Sequence, residues 1–218
     1  MKEGETQMDK VMKTKEYVTG LFNQSEYLKD HPFQREYRYD HTLRVSYWGK
    51  EIATKEGLDV EALIVGCLLH DISYIEEMPT KEAWLNHGRR SAEIAKPFLE
   101  TLGFDDTTMM DILYGIAIHV DNKADFIWNK SILADSISDA DNIDRFDVYR
   151  IYETLEYDKF SHMKNSEKIE YCQTKISRVN SNAGVEFATA SATQLFHERL
   201  ATMKEFFEKM LEQCQRTV

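Results

Sequence analysis

The most apolar run of the chain reads Ala62-Leu63-Ile64-Val65-Gly66-Cys67-Leu68-Leu69-His70-Asp71, and its last two residues are of metal-ligand type. The apolar positions do not keep to one helical stripe, and a helix that is apolar on every side is normally buried on every side. We therefore predict a central helix here. Burying His70 and Asp71 without partners would cost several kcal/mol, which a bound metal cation would offset. A helix that emerges into water at His70 would need no metal, so this stretch alone leaves both interpretations open.

The composition of the chain predicts its fold class. The 218 residues are 42% hydrophobic and 30% charged, with three prolines and nine glycines. These values describe an ordinary globular protein and argue against a loop-rich or all-β fold. No run of alternating apolar and polar residues is long enough to predict a strand. We therefore predict an all-α helical bundle in a single domain covering residues 1–218, with a core at about 35–150 and C-terminal helices at about 151–218 packed on it.

Charge and cysteine content exclude several classes of protein. A net charge of -11 argues against stable binding of nucleic acid or of an anionic membrane, because both require clustered Lys and Arg. The three cysteines lack metal-binding spacing and are odd in number, so we expect them to be reduced. No apolar targeting segment or membrane span is apparent. We therefore expect a cytoplasmic protein.

Helical periodicity and capping signals predict where the helices lie. The predicted helices cover about residues 8–22, 34–56, 60–70, 80–88, 89–102, 106–119, 131–146, 147–157, 166–180 and 185–215. The last of these has a Phe-rich and Met-rich face that would permit a homodimer.

Residues of metal-ligand type recur on four of these helices. His41 follows an acid on the second helix, His70 and Asp71 end the central one, His119 ends an apolar helix, and Asp141 lies in an acid-rich segment. Helices of a bundle can bring such residues together in space. Imidazole and carboxylate ligands without a thiolate suit a divalent transition metal such as Mn, Fe, Co, Ni or Zn. Four protein ligands on an octahedral ion leave positions for water and substrate, as a catalytic site requires.

Three motifs resemble those of the HD superfamily of metal-dependent phosphohydrolases, which is named for its adjacent His-Asp pair. They are His41-Thr-Leu-Arg-Val, Leu68-Leu-His-Asp-Ile and Asp139-Ala-Asp-Asn-Ile-Asp144. The resemblance covers about residues 35–150. The resemblance implies an HD-type helical fold in which His41, His70, Asp71 and Asp141 bind one divalent metal. Asp144 would orient a ligand or cap a neighbouring group, and we expect Asp135 and Asp139 to be solvated acids.

Two further histidines leave the number of metal ions open. Some branches of the superfamily carry two more histidines between the His-Asp pair and the late Asp, and the context Asn86-His87-Gly88 resembles that branch. His87 and His119 would then complete a second metal site. With one ion, either histidine could instead act as general acid or phosphate ligand. The structural alternative is that His87 caps a helix and His119 lies on the surface.

The function implied by this resemblance is hydrolysis of a phosphomonoester, phosphodiester or pyrophosphate bond in a small phosphorylated substrate, with a nucleotide favoured. Metal-bound water would be the nucleophile, and Asp71 or a nearby histidine such as His119 would orient it or move a proton. The cations that would hold the phosphate are Arg44, Arg90, Lys123 and Arg145, with Arg89 as a further candidate. This chain has Tyr74 where one nucleotidase branch keeps an acid, so a mechanism that relies on that acid is not predicted.

Two other classes of function are compatible with the sequence. One is a catalytically silent HD-type module that binds a ligand or regulates a partner, because fold does not determine function. The other is a structural bundle that dimerises through its C-terminal helix. The complete ligand set argues against the silent module, whereas dimerisation through the C-terminal helix need not exclude the enzyme.

Overall fold

A computed structural model describes the backbone of residues 3–216 and the side chains of residues 10–216. This part of the chain forms eleven α-helices, two short 3₁₀ helices and no strand, which confirms the all-α prediction. Within it, no helix is both long enough and apolar enough to cross a membrane. The α-helices are α1 (Glu3–Gln24), α2 (Glu26–Lys29), α3 (Pro32–Glu56), α4 (Val60–Leu69), α5 (Lys81–Leu85), α6 (His87–Leu99), α7 (Asp106–Ile118), α8 (Ile132–Asp144), α9 (Val148–Tyr157), α10 (Asn165–Ser181) and α11 (Ala190–Gln215). The 3₁₀ helices are Ile72–Ile75 and Phe160–His162.

Helix ends follow local capping chemistry. The Asp59 carboxylate accepts a hydrogen bond from the backbone N–H of Ala62 at the start of α4, and Asp105 accepts one from Thr108 at the start of α7. Each bond satisfies a backbone donor that has no partner within the helix. α3 ends at Gly57, whose φ of 68° lies in the left-handed region that glycine adopts without strain.

The start of α6 differs from the prediction. We expected a helix from Arg89 to Leu102, whereas α6 runs from His87 to Leu99. The backbone N–H of Arg90 donates to the Asn86 carbonyl at 3.0 Å, so His87 is already the first helical residue. The backbone of the first turn of α6 therefore determines where the His87 side chain points. The first predicted apolar position of α1, Met8, lies outside the residues whose side chains are described.

The chain divides into two compact units, residues 1–141 and 142–218. In the first unit, α4 is the central helix, and α1, α3, α6 and α7 all pack against it. The side chains of Leu63, Val65, Leu68 and Leu69 are fully buried. This arrangement agrees with the prediction made from the apolar run.

Two glycines allow helices of the first unit to approach closely. A Cβ atom on Gly115 of α7 would lie 2.7 Å from the Ala134 carbonyl oxygen on α8. A Cβ atom on Gly66 of α4 would lie 2.4 Å from Cδ1 of Ile137, which is also on α8. Because neither glycine carries a side chain, α8 lies directly against α4 and α7, and its residue Asp141 comes close to the C-terminal end of α4.

The second unit contains α9, α10 and α11. α10 and α11 pack side by side, with the Asn165 side-chain amide donating to the Cys214 carbonyl at 2.8 Å and the rings of Tyr171 and Phe207 6.1 Å apart. Early residues of α10 therefore lie beside late residues of α11, so the two helices are antiparallel. α8 begins in the first unit and ends in the second. That both units form one domain stays a prediction.

Candidate metal centre

Four side chains of the first unit form one ligand set. His41 lies on α3, His70 and Asp71 follow α4, and Asp141 lies near the end of α8, and all four are buried. His41 Nε2 is 3.2 Å from Asp141 Oδ1 and 3.6 Å from Asp71 Oδ2. His70 Nε2 is 3.7 Å from Asp71 Oδ2 and 4.0 Å from Asp141 Oδ1. We call these four residues the first ligand set.

A second ligand set lies on the other side of the Asp71 carboxylate. Asp71 Oδ1 is 3.2 Å from His87 Nε2 and 3.4 Å from His119 Nε2. The two Nε2 atoms of His87 and His119 are 3.1 Å apart. We call Asp71, His87 and His119 the second ligand set. His41, His70 and Asp71 of the first set, and all three residues of the second set, place ligand atoms close enough together to hold a metal ion. His70, His119 and Asp141 do so as well, so the two sets adjoin each other and share Asp71.

Three of the histidines have their tautomer determined by the backbone. The Nδ1 atoms of His70, His87 and His119 lie 2.7, 2.5 and 2.7 Å from the carbonyl oxygens of Cys67, Trp84 and Ile116. A carbonyl oxygen can only accept, so each Nδ1 carries the proton and donates it. In the neutral ring Nε2 then bears a lone pair, and metal-binding histidines commonly have this arrangement.

The residues fit a bound cation. His70 Nε2 is buried and has no hydrogen-bond partner among the described residues. The facing Nε2 atoms of His87 and His119 cannot donate to each other while both rings are neutral, since both Nδ1 atoms donate to the backbone. A divalent cation in each ligand set would satisfy these nitrogens and the Asp71 carboxylate. Nitrogen and oxygen donors without a thiolate agree with the predicted type of metal.

The pKa values of two ligands favour cation binding. Burial of the His70 ring lowers its pKa from 6.5 to about 4, so the ring is neutral near pH 7. Burial of Asp71 acts to raise its pKa, but its interactions with His70, His119, His87 and Arg38 together hold the pKa well below its usual value. A neutral imidazole and an ionised carboxylate are the forms that bind metals.

Arg38 is a residue of the centre that the sequence analysis missed. Its Nη1 donates to Asp71 Oδ2 at 3.1 Å, and its guanidinium carbon lies 3.3 Å from the centre of the Tyr74 ring. It contributes one positive charge beside the two carboxylates of the first ligand set. Arg38 precedes His41 by one helical turn on α3, and this spacing was the available signal. Of the two arginines one turn from His41, the sequence had pointed to Arg44 and not to Arg38.

The predicted phosphate-binding cations lie in varied surroundings. Arg90 donates to Glu76 and to Glu93, and Lys123 is exposed, with Nζ 4.0 Å from Asp121. Arg44 is half-buried on α3, and Arg145 is an exposed residue of the second unit. Their role as substrate-binding residues stays a prediction.

The burial of the acids and histidines corrects one expectation and argues against one alternative. Asp139, expected to be a solvated acid, is buried, because it lies on the part of α8 that packs into the first unit. His119, for which a surface position was the alternative, is only 7% exposed and His87 4%. The expectation for Asp135 fits better, since it is half-buried and its carboxylate is 2.8 Å from Lys130 Nζ.

Two features bring His87 towards His119. A Cβ atom on Gly88 would lie 2.7 Å from the Ala117 carbonyl oxygen, so the absence of a side chain lets α6 approach the end of α7. Behind His87, the buried hydroxyl of Ser73 donates to the His87 carbonyl at 2.9 Å, and the Ser91 hydroxyl accepts from the Ser73 backbone N–H at 3.1 Å. These bonds join the 3₁₀ turn after Asp71 to the first turns of α6.

The fold and the site define an all-helical protein with a buried His and Asp cluster that is able to hold a divalent metal. The family model of the HD domain matches residues 38–146, which is half of the chain. The chain belongs to the HD domain family, and its membership supports a metal-dependent hydrolase.

The fold of this chain is similar to that of a solved structure. The crystal structure of a predicted HD superfamily hydrolase from an uncultured Thermotogales bacterium matches with a TM-score of 0.62 and 22% sequence identity, covering 91% of each chain. This likeness supports the fold. No curated protein matches the chain.

Proposed function

We propose that this protein hydrolyses a phosphate ester or anhydride bond of a small substrate, with a nucleotide favoured, and that it uses two divalent transition-metal ions. The observation that carries the proposal is the position of Asp71. One of its oxygens faces His41 and His70, and the other faces His87 and His119. A carboxylate shared by two adjacent ligand sets is suited to holding two ions, as many phosphoryl-transfer centres do.

Divalent ions at this centre would supply positive charge for phosphoryl oxygens and lower the pKa of water. The protein's own residues have more specific tasks. Because Nδ1 of His119 donates to the Ile116 carbonyl, Nε2 is the only atom of that ring that can either bind an ion or move a proton. With two ions His119 would be a ligand, and with one ion it would act as the general acid. In both cases Asp71 stays ionised and holds the facing histidines in place.

The surroundings of the centre support a small substrate. The ligand side chains are all buried, so only a slender terminal group such as a phosphate reaches them. The net charge of -11 opposes binding of a large polyanion, whereas the ions would reverse the sign of the charge locally.

An exposed aromatic side chain near the centre supports a nucleotide. The Trp84 ring lies 5.9 Å from the His87 ring and is 41% exposed. An exposed indole at that distance from the ligand sets could stack on a nucleobase whose phosphate reaches the ions. Stacking of this kind contributes about 1–3 kcal/mol per base.

Metal content and turnover test the proposed activity. Protein purified without chelator should contain about two equivalents of transition metal, as expected for a two-metal site, and should release phosphate or nucleotide from a panel of phosphorylated compounds. His70→Ala should lose metal and turnover together, whereas the matched control His162→Ala, which changes an exposed histidine, should retain both. Absence of metal and of turnover with every added ion would refute the enzyme and favour a binding module.

Comparison of substrates tests the nucleotide character separately. Trp84→Ala should lower kcat/KM for nucleoside monophosphates by about tenfold, the effect of losing one stacked base, and leave ribose 5-phosphate unaffected. An equal loss for both substrates would contradict base stacking without contradicting hydrolysis.

A further inference from the structure

An ion pair joins the two chain segments that follow the histidines of the second ligand set. Arg89 lies two residues after His87, and Asp121 lies two residues after His119. Arg89 Nη1 donates to Asp121 Oδ1 at 2.8 Å, and the side chains are only 14% and 17% exposed. The pair therefore connects the first turn of α6 with the turn that follows α7, immediately beside both histidines.

The guanidinium of Arg89 also contacts other polar groups of both segments. Its Nε donates to the Asn86 side-chain oxygen at 2.5 Å, and Nη1 is 3.5 Å from the Lys123 carbonyl. Asp121 Oδ1 accepts in addition from the Lys123 backbone N–H at 3.3 Å. Asn122, which lies between Asp121 and Lys123 in the chain, has a φ of 60°, in the left-handed region. The turn after His119 is thus held in a defined shape by contacts that converge on one Arg and one Asp.

Helix ends need such a constraint more than helix interiors do. His87 is the first residue of α6 and His119 follows the last residue of α7, and helix ends fray more readily than packed interiors. The two Nε2 lone pairs also repel each other when no cation lies between them. A mostly buried ion pair beside the histidines opposes both effects, and it is less screened by solvent than an exposed pair such as Lys209 with Glu205, whose side chains are 68% and 65% exposed.

We propose that Arg89 and Asp121 form a clamp that positions His87 and His119 for the second metal ion, and that the clamp makes binding of this ion separable from binding of the first. The inference rests on the two-ion centre proposed above. Arg89 is then a positioning residue for the second ligand set, in place of the phosphate-binding role considered from the sequence. The first ligand set has no residue in the clamp, so Arg89 acts on it only through the second set that adjoins it.

Calorimetric titration of the metal-free protein with Mn²⁺ tests the clamp without relying on turnover. Arg89→Ala and Asp121→Asn should each weaken binding of one ion by about 10- to 100-fold, the range found when a partner that orients a ligand is removed. Binding of the other ion should stay unchanged. The charge exchange Arg89→Asp with Asp121→Arg should bind the second ion more tightly than Arg89→Ala does, because it restores an ion pair between the same two segments.

A matched ion pair elsewhere in the first unit serves as the control. Lys130 Nζ lies 2.8 Å from Asp135 Oδ1, the same separation as in the clamp, and Lys130→Ala should leave both Mn²⁺ affinities unchanged. Unchanged binding of two ions by Arg89→Ala would overturn the clamp while the two-ion centre stands. Equal weakening of both ions would also overturn it, since that result indicates general destabilisation. Fewer than two ions in the unaltered protein would overturn the clamp and the two-ion centre together.

Discussion

The two ligand sets share Asp71 but are built in different ways. In the first set, His70 directly follows the apolar α4, and His41 and Asp141 lie on α3 and α8, which both pack against α4. His87 and His119 of the second set lie at helix ends, where Gly88 and the Arg89–Asp121 pair determine their separation. The core that folds the first unit therefore also builds the first set. The second set depends on local contacts that a single substitution can remove.

The largest expected effect comes from the residue that belongs to both sets. Asp71→Ala should abolish binding of both ions and reduce turnover by about 10³-fold or more, because several kcal/mol of charge stabilisation are lost. Metal analysis and initial rates on the best substrate would measure both effects. Asp135→Ala, which changes a half-buried acid outside both sets, is the control. If Asp71→Ala kept one ion at full affinity, the two sets would not share this carboxylate.

The first set should make the metal-free protein sensitive to acid. The folded pKa of His70 is about 4 and its ordinary value 6.5, so between these values the unfolded chain binds a proton that the folded chain does not. The free energy of unfolding should therefore fall as the pH falls through this window, by about 3 kcal/mol in total. Urea denaturation across the window would measure it.

A variant separates this contribution of His70 from those of other groups. His70→Gln cannot take up the proton and should show a flatter dependence of unfolding free energy on pH, whereas His162→Ala should keep the slope of the unaltered protein. An unchanged slope in His70→Gln would mean that this ring does not cause the acid sensitivity.

The close helix approach at Gly88 predicts a smaller effect that is confined to the second set. Gly88→Ala places a Cβ atom 2.7 Å from the Ala117 carbonyl oxygen, so α6 must move away from α7, at a cost of about 1–3 kcal/mol. Metal analysis should show loss of one ion. Gly20→Ala is the control, because its Cβ atom meets nothing nearer than 3.9 Å and should stabilise the helix. Retention of two ions in Gly88→Ala would show that the close approach of α6 to α7 is not needed for binding the second ion.

The smallest expected effect concerns the serine pair behind His87. Ser91→Ala removes the hydroxyl that accepts from the buried Ser73 backbone N–H, which should lower the free energy of unfolding by about 1 kcal/mol. Ser91→Ala should also weaken binding of the second ion more than binding of the first, because the same serine pair contacts the His87 backbone. Chemical denaturation and Mn²⁺ titration would measure these effects, with Ser181→Ala, an exposed serine, as the control. Equal weakening of Mn²⁺ binding at both ligand sets would contradict a role of the serine pair that is confined to the second set.

Much of the centre could be predicted because its residues have distinctive contexts. The apolar run before His70 indicated burial, the motifs around His41 and Asp141 indicated a ligand set, and His87 and His119 were recognised as candidates for a second one. Arg38 and the pairing of Arg89 with Asp121 could not be predicted in the same way. Their contacts join residues 33 and 32 positions apart, and the chain is rich in charged residues that offer many alternative pairs.

Local patterns in the chain were enough to predict the helical class, the central position of α4 and the types of ligand, because burial of apolar side chains and helical periodicity are properties of local segments. The folded arrangement was needed to learn that the two oxygens of Asp71 face different histidines, and that Gly88 and Arg89 place His87 beside His119. These distances depend on how closely helices approach each other. Helix approach is decided by packing between segments that are distant along the chain, and local patterns do not contain that information.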